Sequence, residues 1–413
     1  MRNIHTDVLV IGAGPAGSLA AAKVNQLGFD VLVVEKQKFP RFVIGESLLP
    51  RVMDHLEDTD LLDVVKKSKF QEKYGAKFVK DGKVCEFDFK NTFSEGWTWT
   101  WQVTRADFDK LLTDEIKKRG VKLLFEHSVV KINFEGTEST SIMVDKSGNE
   151  ISIQAKFIID ASGYGRIIPK LFDLGIPSDF VPRETIFTHF TDPMRPSGDD
   201  GHRITVHVHK QDVWVWIIPF SNGATSVGIV GDDTFFKKHS TNQTEKMIAI
   251  LEEIDTLRDR FTAENIVFEP KEIKGYAVGV KQLHGDGYAL VGNATEFLDP
   301  IFSSGVTFAA ESGVLAGKLA SKQLNGEKVD WDLEYTSHLR HGIDVFRSYV
   351  ESWYNGDLQE LFFSSEQNQE FKKQICSILA GYVWDMENPF VRKYKTIIGT
   401  LAHIIKMKNN EAT

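Results

Sequence analysis

Asp7-Val-Leu-Val-Ile-Gly-Ala-Gly-Pro-Ala-Gly17 reads as a strand that breaks into a glycine turn; small residues follow to about Leu27, then Val31-Leu-Val-Val-Glu35. Strand, turn, helix and strand in that order make a βαβ unit. Its glycines, Gly12, Gly14 and Gly17, enclose Pro15 and Ala16 and have separate duties. Gly12 permits the tight turn, Gly14 lets backbone approach a pyrophosphate, and Gly17 lets the helix meet the sheet. N–H groups at the helix start then hold the phosphate charge. Glu35, followed by Lys36, closes the second strand where an acid hydrogen-bonds a ribose. The unit predicts a dinucleotide site.

Around this unit, 413 residues with 42% hydrophobic and 26% charged side chains leave room for two or three packed units at about 150 residues each. The net charge of −9, from 49 basic and 58 acidic side chains, supplies no footprint for nucleic acid. Cys85 and Cys376 lie far apart, without a CxxC or a Cys/His spacing, so no metal site is expected. The apolar run from Val8 is broken by Gly12, Gly14 and Pro15 and does not form a signal peptide. The uncharged stretch from Val213 to Val230 is interrupted by Pro219, Ser221, Asn222 and Gly223, as a turn between strands would do. The expectation is a soluble, cytoplasmic protein without integral membrane association.

The remaining chain alternates helical and strand signals. Met53 to Lys69 and Asp107 to Arg119 carry amphipathic helical patterns, and short strands follow from Val121 to Ile159. From Glu184 to about Asp232 the period becomes two, which predicts an antiparallel sheet. Asn242 to Phe261 reads as helix, Tyr288-Ala-Leu-Val-Gly292 as a returning buried strand, and Val306 to Leu324 as a small-residue helix. Helices dominate from Val329, and the tail from Lys406 reads as disordered. The expected fold is α/β. A Rossmann-like domain over residues 1–180 is completed by 271–330, an antiparallel sheet occupies 181–270, and a helical region covers 331–413.

A second constellation runs from Gly292-Asn293 through Phe297-Leu-Asp-Pro300 to Ser303-Ser-Gly305. Backbone N–H groups at Ser304, Gly305 and Val306 open a helix there, and helix starts attract negative charge. They suit a reduced ring system or a small anion.

With these motifs the chain resembles the FAD-dependent oxidoreductase superfamily built on the aromatic hydroxylase fold. Further segments share the likeness: Pro40-Arg41-Phe-Val-Ile-Gly45-Glu46-Ser47, Gln102-Val-Thr-Arg105 and Ile158-Ile-Asp160-Ala-Ser-Gly163. The resemblance implies FAD as cofactor and places Arg41, Gly45, Glu46, Ser47, Gln102, Arg105, Asp160, Gly292, Asn293 and Pro300 beside it. Within the superfamily, Trp214-Val-Trp216-Ile-Ile218-Pro219 and Phe297-x-x-Pro300-x-x-Ser303-x-Gly305 resemble the flavin-dependent halogenases, of the tryptophan halogenase-like group that takes phenols and pyrroles.

That likeness implies a halide ion held near Ser304 and Gly305, and a separate flavin reductase. It also implies an aromatic or other apolar substrate, free or tethered to a carrier protein. A halogenase needs a lysine that receives hypohalous acid, and Lys73 in Lys73-Tyr-Gly75-Ala76-Lys-Phe78 matches its segment, with Lys77 and Lys80 as competitors. Lys73, Trp214, Trp216 and Ser304 form the expected catalytic set. The chain departs from the pattern at Asn293, where the family has Asp, and at Val79-Lys80, where halogenases have Trp-Gly. A flavin reductase resembling the geranylgeranyl reductases, an aromatic monooxygenase and a flavin-binding redox sensor stay open as alternatives.

Overall fold

A computed structural model describes residues 2–365 and 368–411. The opening βαβ unit forms β1 (Arg2–Ile11), α1 (Pro15–Gln26) and β2 (Val31–Glu35). β1 pairs in parallel with β2, Val8 opposite Val31, and on its other edge with the long strand Glu150–Asp160, Val8 opposite Phe157. Strands Tyr288–Leu290 and Lys122–Phe125 flank this centre, both parallel. Such a sheet is covered on both faces, so its strands read as continuous apolar runs. Val8, Leu9, Val10 and Ile158 are fully buried, and α1 together with the helix Gly305–Leu324 forms one covering layer.

A second sheet lies over the carboxyl ends of these strands. Seven strands run in the order 271–274, 183–191, 224–232, 213–219, 204–210, 75–80 and 83–88. The alternation from Ile204 predicts one apolar face, and Ile204, Val206 and Val208 are buried. The sheet corrects the expected boundaries of 181–270. Strand Gly75–Lys80 joins it in parallel, Phe78 opposite Val206, and brings the hairpin partner Lys83–Asp88. Parallel pairing across more than a hundred residues leaves no local periodicity, so nothing in the sequence announces it.

Three helical expectations change in detail. Met53 to Lys69 forms two short helices, Arg51–Asp58 and Leu62–Lys66, because Asp60 turns left-handed at φ 57°, which Asp tolerates. The helix from Gln243 ends at Glu252, where Glu252, Glu253 and Asp255 set negative charge against the negative end of the helix dipole. The tail is helical over Ile397–Glu411, anchored by buried Ile398 and Ala402 and by Lys406 Nζ at 2.8 Å from Asp357. Among the described residues, no helix is long and apolar enough to cross a membrane, and no group of three His, Cys, Asp or Glu is placed to hold a metal.

Candidate active site

A cavity of about 300 Å³ runs from the glycine turn to the second sheet. At its near end Gly12 has φ +100°, and a Cβ on Gly17 would stand 2.0 Å from the Gly12 carbonyl oxygen. Only glycine fits that contact. α1 starts at Pro15 with Gly14 as its cap residue, so no side chain occupies its first N–H groups. Buried Glu35 accepts from the Ala13 N–H at 2.9 Å and from the Gln37 N–H at 2.8 Å. Each of its oxygens keeps a lone pair for another donor.

The middle of the cavity is organised by a residue that motif reading missed. Asp109, fully buried, accepts from Arg41 Nη1 at 2.9 Å and from Arg105 Nε and Nη2 at 2.9 and 3.0 Å. Arg105 Nη1 also donates to the Ile44 carbonyl at 2.7 Å, which ties the Arg41–Ser47 segment against the cavity. The signal was present as Arg105 and Asp109 four apart on one helix. Asp160 is buried behind the wall, where desolvation raises its pKa; it accepts from the N–H groups of Ser162 at 3.0 Å and Ile168 at 2.7 Å. It shapes the Ala161–Gly165 wall and is not part of it. Gln102 is likewise buried outside the wall, donating to the His202 carbonyl.

At the far end, Trp214 and Trp216 line the cavity, their rings 6.0 Å apart. Trp216 Nε1 donates to Ser226 Oγ at 3.1 Å, and Trp214 Nε1 to Tyr354 Oη at 3.0 Å. Opposite them are Phe297, Pro300, Ser303, Gly305 and Val306. Ser303 is left-handed at φ 57°, and the helix Gly305–Leu324 starts without a side-chain cap. Ser303 and Gly305 face the cavity while Ser304, expected there, is buried at the helix start. Gly292 and Asn293 also lie in the wall.

Lys73 ends the short strand Gln71–Lys73, paired with Thr100–Gln102, and is 1% exposed. Its Nζ donates to Ser47 Oγ and to the Leu48 carbonyl, both at 2.8 Å, and lies 5.5 Å from the Phe89 ring. Burial alone lowers its pKa to about 7. Its competitors are engaged elsewhere: Lys77 Nζ is 3.1 Å from Asp200 and Lys80 Nζ 2.9 Å from Gln359. Lys73 itself sits behind the wall, one residue's reach from Ser47, which lines the cavity. A second missed group is His189, whose Nε2 is 2.7 Å from Glu46 Oε1, with the rings of Phe42, Phe220 and Phe268 about it.

Residues 5–344 match the FAD binding domain family. This chain belongs to that family. The protein is an FAD-dependent oxidoreductase, and its relatives include halogenases. A 1H-pyrrole-2-carbonyl-[peptidyl-carrier protein] brominase of Pseudoalteromonas luteoviolacea is 28% identical over 399 residues, covering 92% of this chain and 93% of that one. A flavin-dependent halogenase of Armillaria mellea is 30% identical, over 78% of this chain and 68% of its own. Among solved structures, a flavoprotein/dehydrogenase from Cytophaga hutchinsonii is 53% identical with a TM-score of 0.96, covering 98% and 100% of the two chains. The flavin-dependent brominase Bmp2 is 25% identical with a TM-score of 0.82, over 99% of both. The cavity of this FAD-family protein fits the cofactor: uncapped N–H groups at α1 suit its pyrophosphate, Glu35 its adenosine ribose, and the wall from Ser303 to Val306 its flavin ring.

Proposed function

We propose that this protein is a flavin-dependent halogenase that acts on an electron-rich aromatic or pyrrole ring, free or carrier-tethered, with reduced FAD from a separate reductase. Buried Lys73 carries the reading. Bound and reduced, FAD supplies the activation of oxygen that converts halide into electrophilic hypohalous acid. The chain's own residues do the rest. Open N–H groups from Ser304 to Val306 hold an anion at the flavin end of the cavity. Trp214 and Trp216 wall that end and exclude water. Lys73, near neutrality partly uncharged, offers a nucleophilic amine while Ser47 Oγ and the Leu48 carbonyl fix its Nζ. Gly12, Gly14, Gly17, Glu35, Arg41 and Arg105 serve the cofactor.

The test supplies chemically reduced FAD in air with chloride or bromide and offers phenols, pyrroles and a carrier-tethered pyrrole. A product whose mass carries halogen, absent from Lys73→Met, is the expected result; no halide-dependent product from any probe would sink the reading. A second reading follows the likeness to the Cytophaga flavoprotein/dehydrogenase and the Val79-Lys80 departure. A reductase of this fold turns over without oxygen or halide, and Lys73→Met leaves that turnover intact.

A further inference from the structure

The Phe297–Gly305 loop and the Trp214–Pro219 strand are separate motifs in sequence, and one buried carboxylate joins them in space. Asp299 Oδ1 accepts from the Ile301 N–H at 3.0 Å, capping the turn that leads into left-handed Ser303. Its Oδ2 accepts from Tyr354 Oη at 3.0 Å and Tyr276 Oη at 3.4 Å. Tyr354 Oη in turn accepts from Trp214 Nε1. The Arg183 guanidinium lies 3.4 Å over the Tyr354 ring, and its positive charge favours the ionised carboxylate.

With Asp299 ionised, the order of donors in this chain is forced. An indole N–H only donates, a phenol has one proton, and an ionised carboxylate only accepts. Trp214 therefore gives to Tyr354, and Tyr354 gives to Asp299. We propose that Asp299 is a positioning residue that, through Tyr354, locks the Trp214 ring and the Pro300–Gly305 turn to one another at the flavin end of the cavity. The cavity wall is then braced from behind by the last turn of the helix His338–Tyr354, a segment outside the FAD-binding sheet that does not itself line the cavity. The inference goes beyond the proposed reaction, since the coupling holds whether the flavin serves halogenation or hydride transfer.

Asp299→Asn is the sharp variant because it keeps the shape. Its amide oxygen still caps Ile301, but its NH2 then faces both phenols, and the Tyr354 proton loses its acceptor while Trp214 still donates to the same oxygen. The FAD-loaded protein is labelled with fluorotryptophan, and the Trp214 fluorine resonance is assigned by its loss in Trp214→Phe. Asp299→Asn and Tyr354→Phe each shift that resonance, because Tyr354 Oη is hydrogen-bonded to both Asp299 and Trp214. Asp299→Asn also moves the visible flavin absorption band and speeds amide exchange in the 297–306 peptide about tenfold, the loss of one buried hydrogen bond. A Trp214 resonance at the wild-type position in Asp299→Asn overturns the coupling, even if the loop loosens. Should Asp299→Asn not fold, Tyr354→Phe decides alone: an unmoved Trp214 resonance overturns the proposal. These readouts need no halide and no substrate, so a failure of halogenation leaves them standing.

Discussion

The two ends of the cavity are built on opposite terms. At the glycine end, Glu35 takes two backbone N–H groups and the strands on either side run in parallel register, so the groups proposed to meet the cofactor also serve the fold. At the lysine end, Lys73 is buried with no carboxylate partner among the described residues, Ser303 is left-handed, and Asp299 is pushed up to about 6 by burial. Among the described residues, the hydroxyl of Thr100, paired opposite Lys73, is buried with no hydrogen-bond partner. Binding and stability coincide at the first end and oppose one another at the second. Strained or unsatisfied groups that persist in a fold mark a functional constraint.

The largest expected effect breaks the lysine end. A lysine whose folded pKa lies near 7, below its ordinary 10.5, binds fewer protons folded than unfolded between those values. Its cost is absent above the unfolded pKa and grows as pH falls toward 7, reaching on the order of several kcal/mol at pH 7.5. Lys73→Met, similar in volume and uncharged, should raise the melting temperature by several degrees while cutting halogen transfer about 1,000-fold. Calorimetry and product analysis on the same sample check both signs; a variant both inactive and less stable would remove the contrast. Gly17→Ala strikes the other end, where its Cβ would meet the Gly12 carbonyl at 2.0 Å. Stability and FAD retention should fall together there, with FAD held about 100-fold more weakly. Flavin fluorescence during dialysis would show it, and retained flavin would refute the close-packing argument.

A third test sharpens the contrast without mutation. The uncharged fraction of Lys73 should rise about tenfold between pH 6 and pH 8, so halogen transfer at limiting substrate should climb across that window and level above it. A flat profile from pH 6 to 8 with reduced FAD saturating would mean that Lys73 deprotonation does not gate the reaction.

The same contrast explains how far the sequence could be read. Every structural duty from Gly12 to Glu35 is local, set by turns and periodicity, so the strand, turn, helix and strand of that end were legible residue by residue. Asp109 was open to the same reading, four places after Arg105 on one helix. Lys73 was not: its strand is three residues long, and only the likeness to halogenases singled it out before burial was seen. Asp299 and Tyr354 are 55 residues apart and meet through folding alone, as do His189 and Glu46 at 143. The strand Gly75–Lys80 was misassigned to the first domain for that reason, since its partner Ile204–Lys210 lies beyond any periodic signal. Ser304 was chosen over Ser303 because spacing does not report which of two serines a left-handed turn sends into the cavity.

The smallest expected effect lies at the junction of the two ends, at Asn293. It stands in the cavity wall beside Gly292, whose N–H is held by Ser312 Oγ at 2.9 Å, so the backbone there is fixed and a change at 293 acts through its side chain. An amide oxygen accepts a ribityl hydroxyl as a neutral group, whereas a carboxylate accepts it with charge, and charge-assisted hydrogen bonds are roughly twice as strong. Asn293→Asp should therefore slow FAD loss by about threefold to tenfold, a difference of about 1 kcal/mol. The gain should come without the stability change expected at Lys73, because position 293 is only half-buried and water can share the new charge. Faster FAD loss in Asn293→Asp would instead mean that a carboxylate at this position of the wall is poorly solvated, and that the amide is the fitted group.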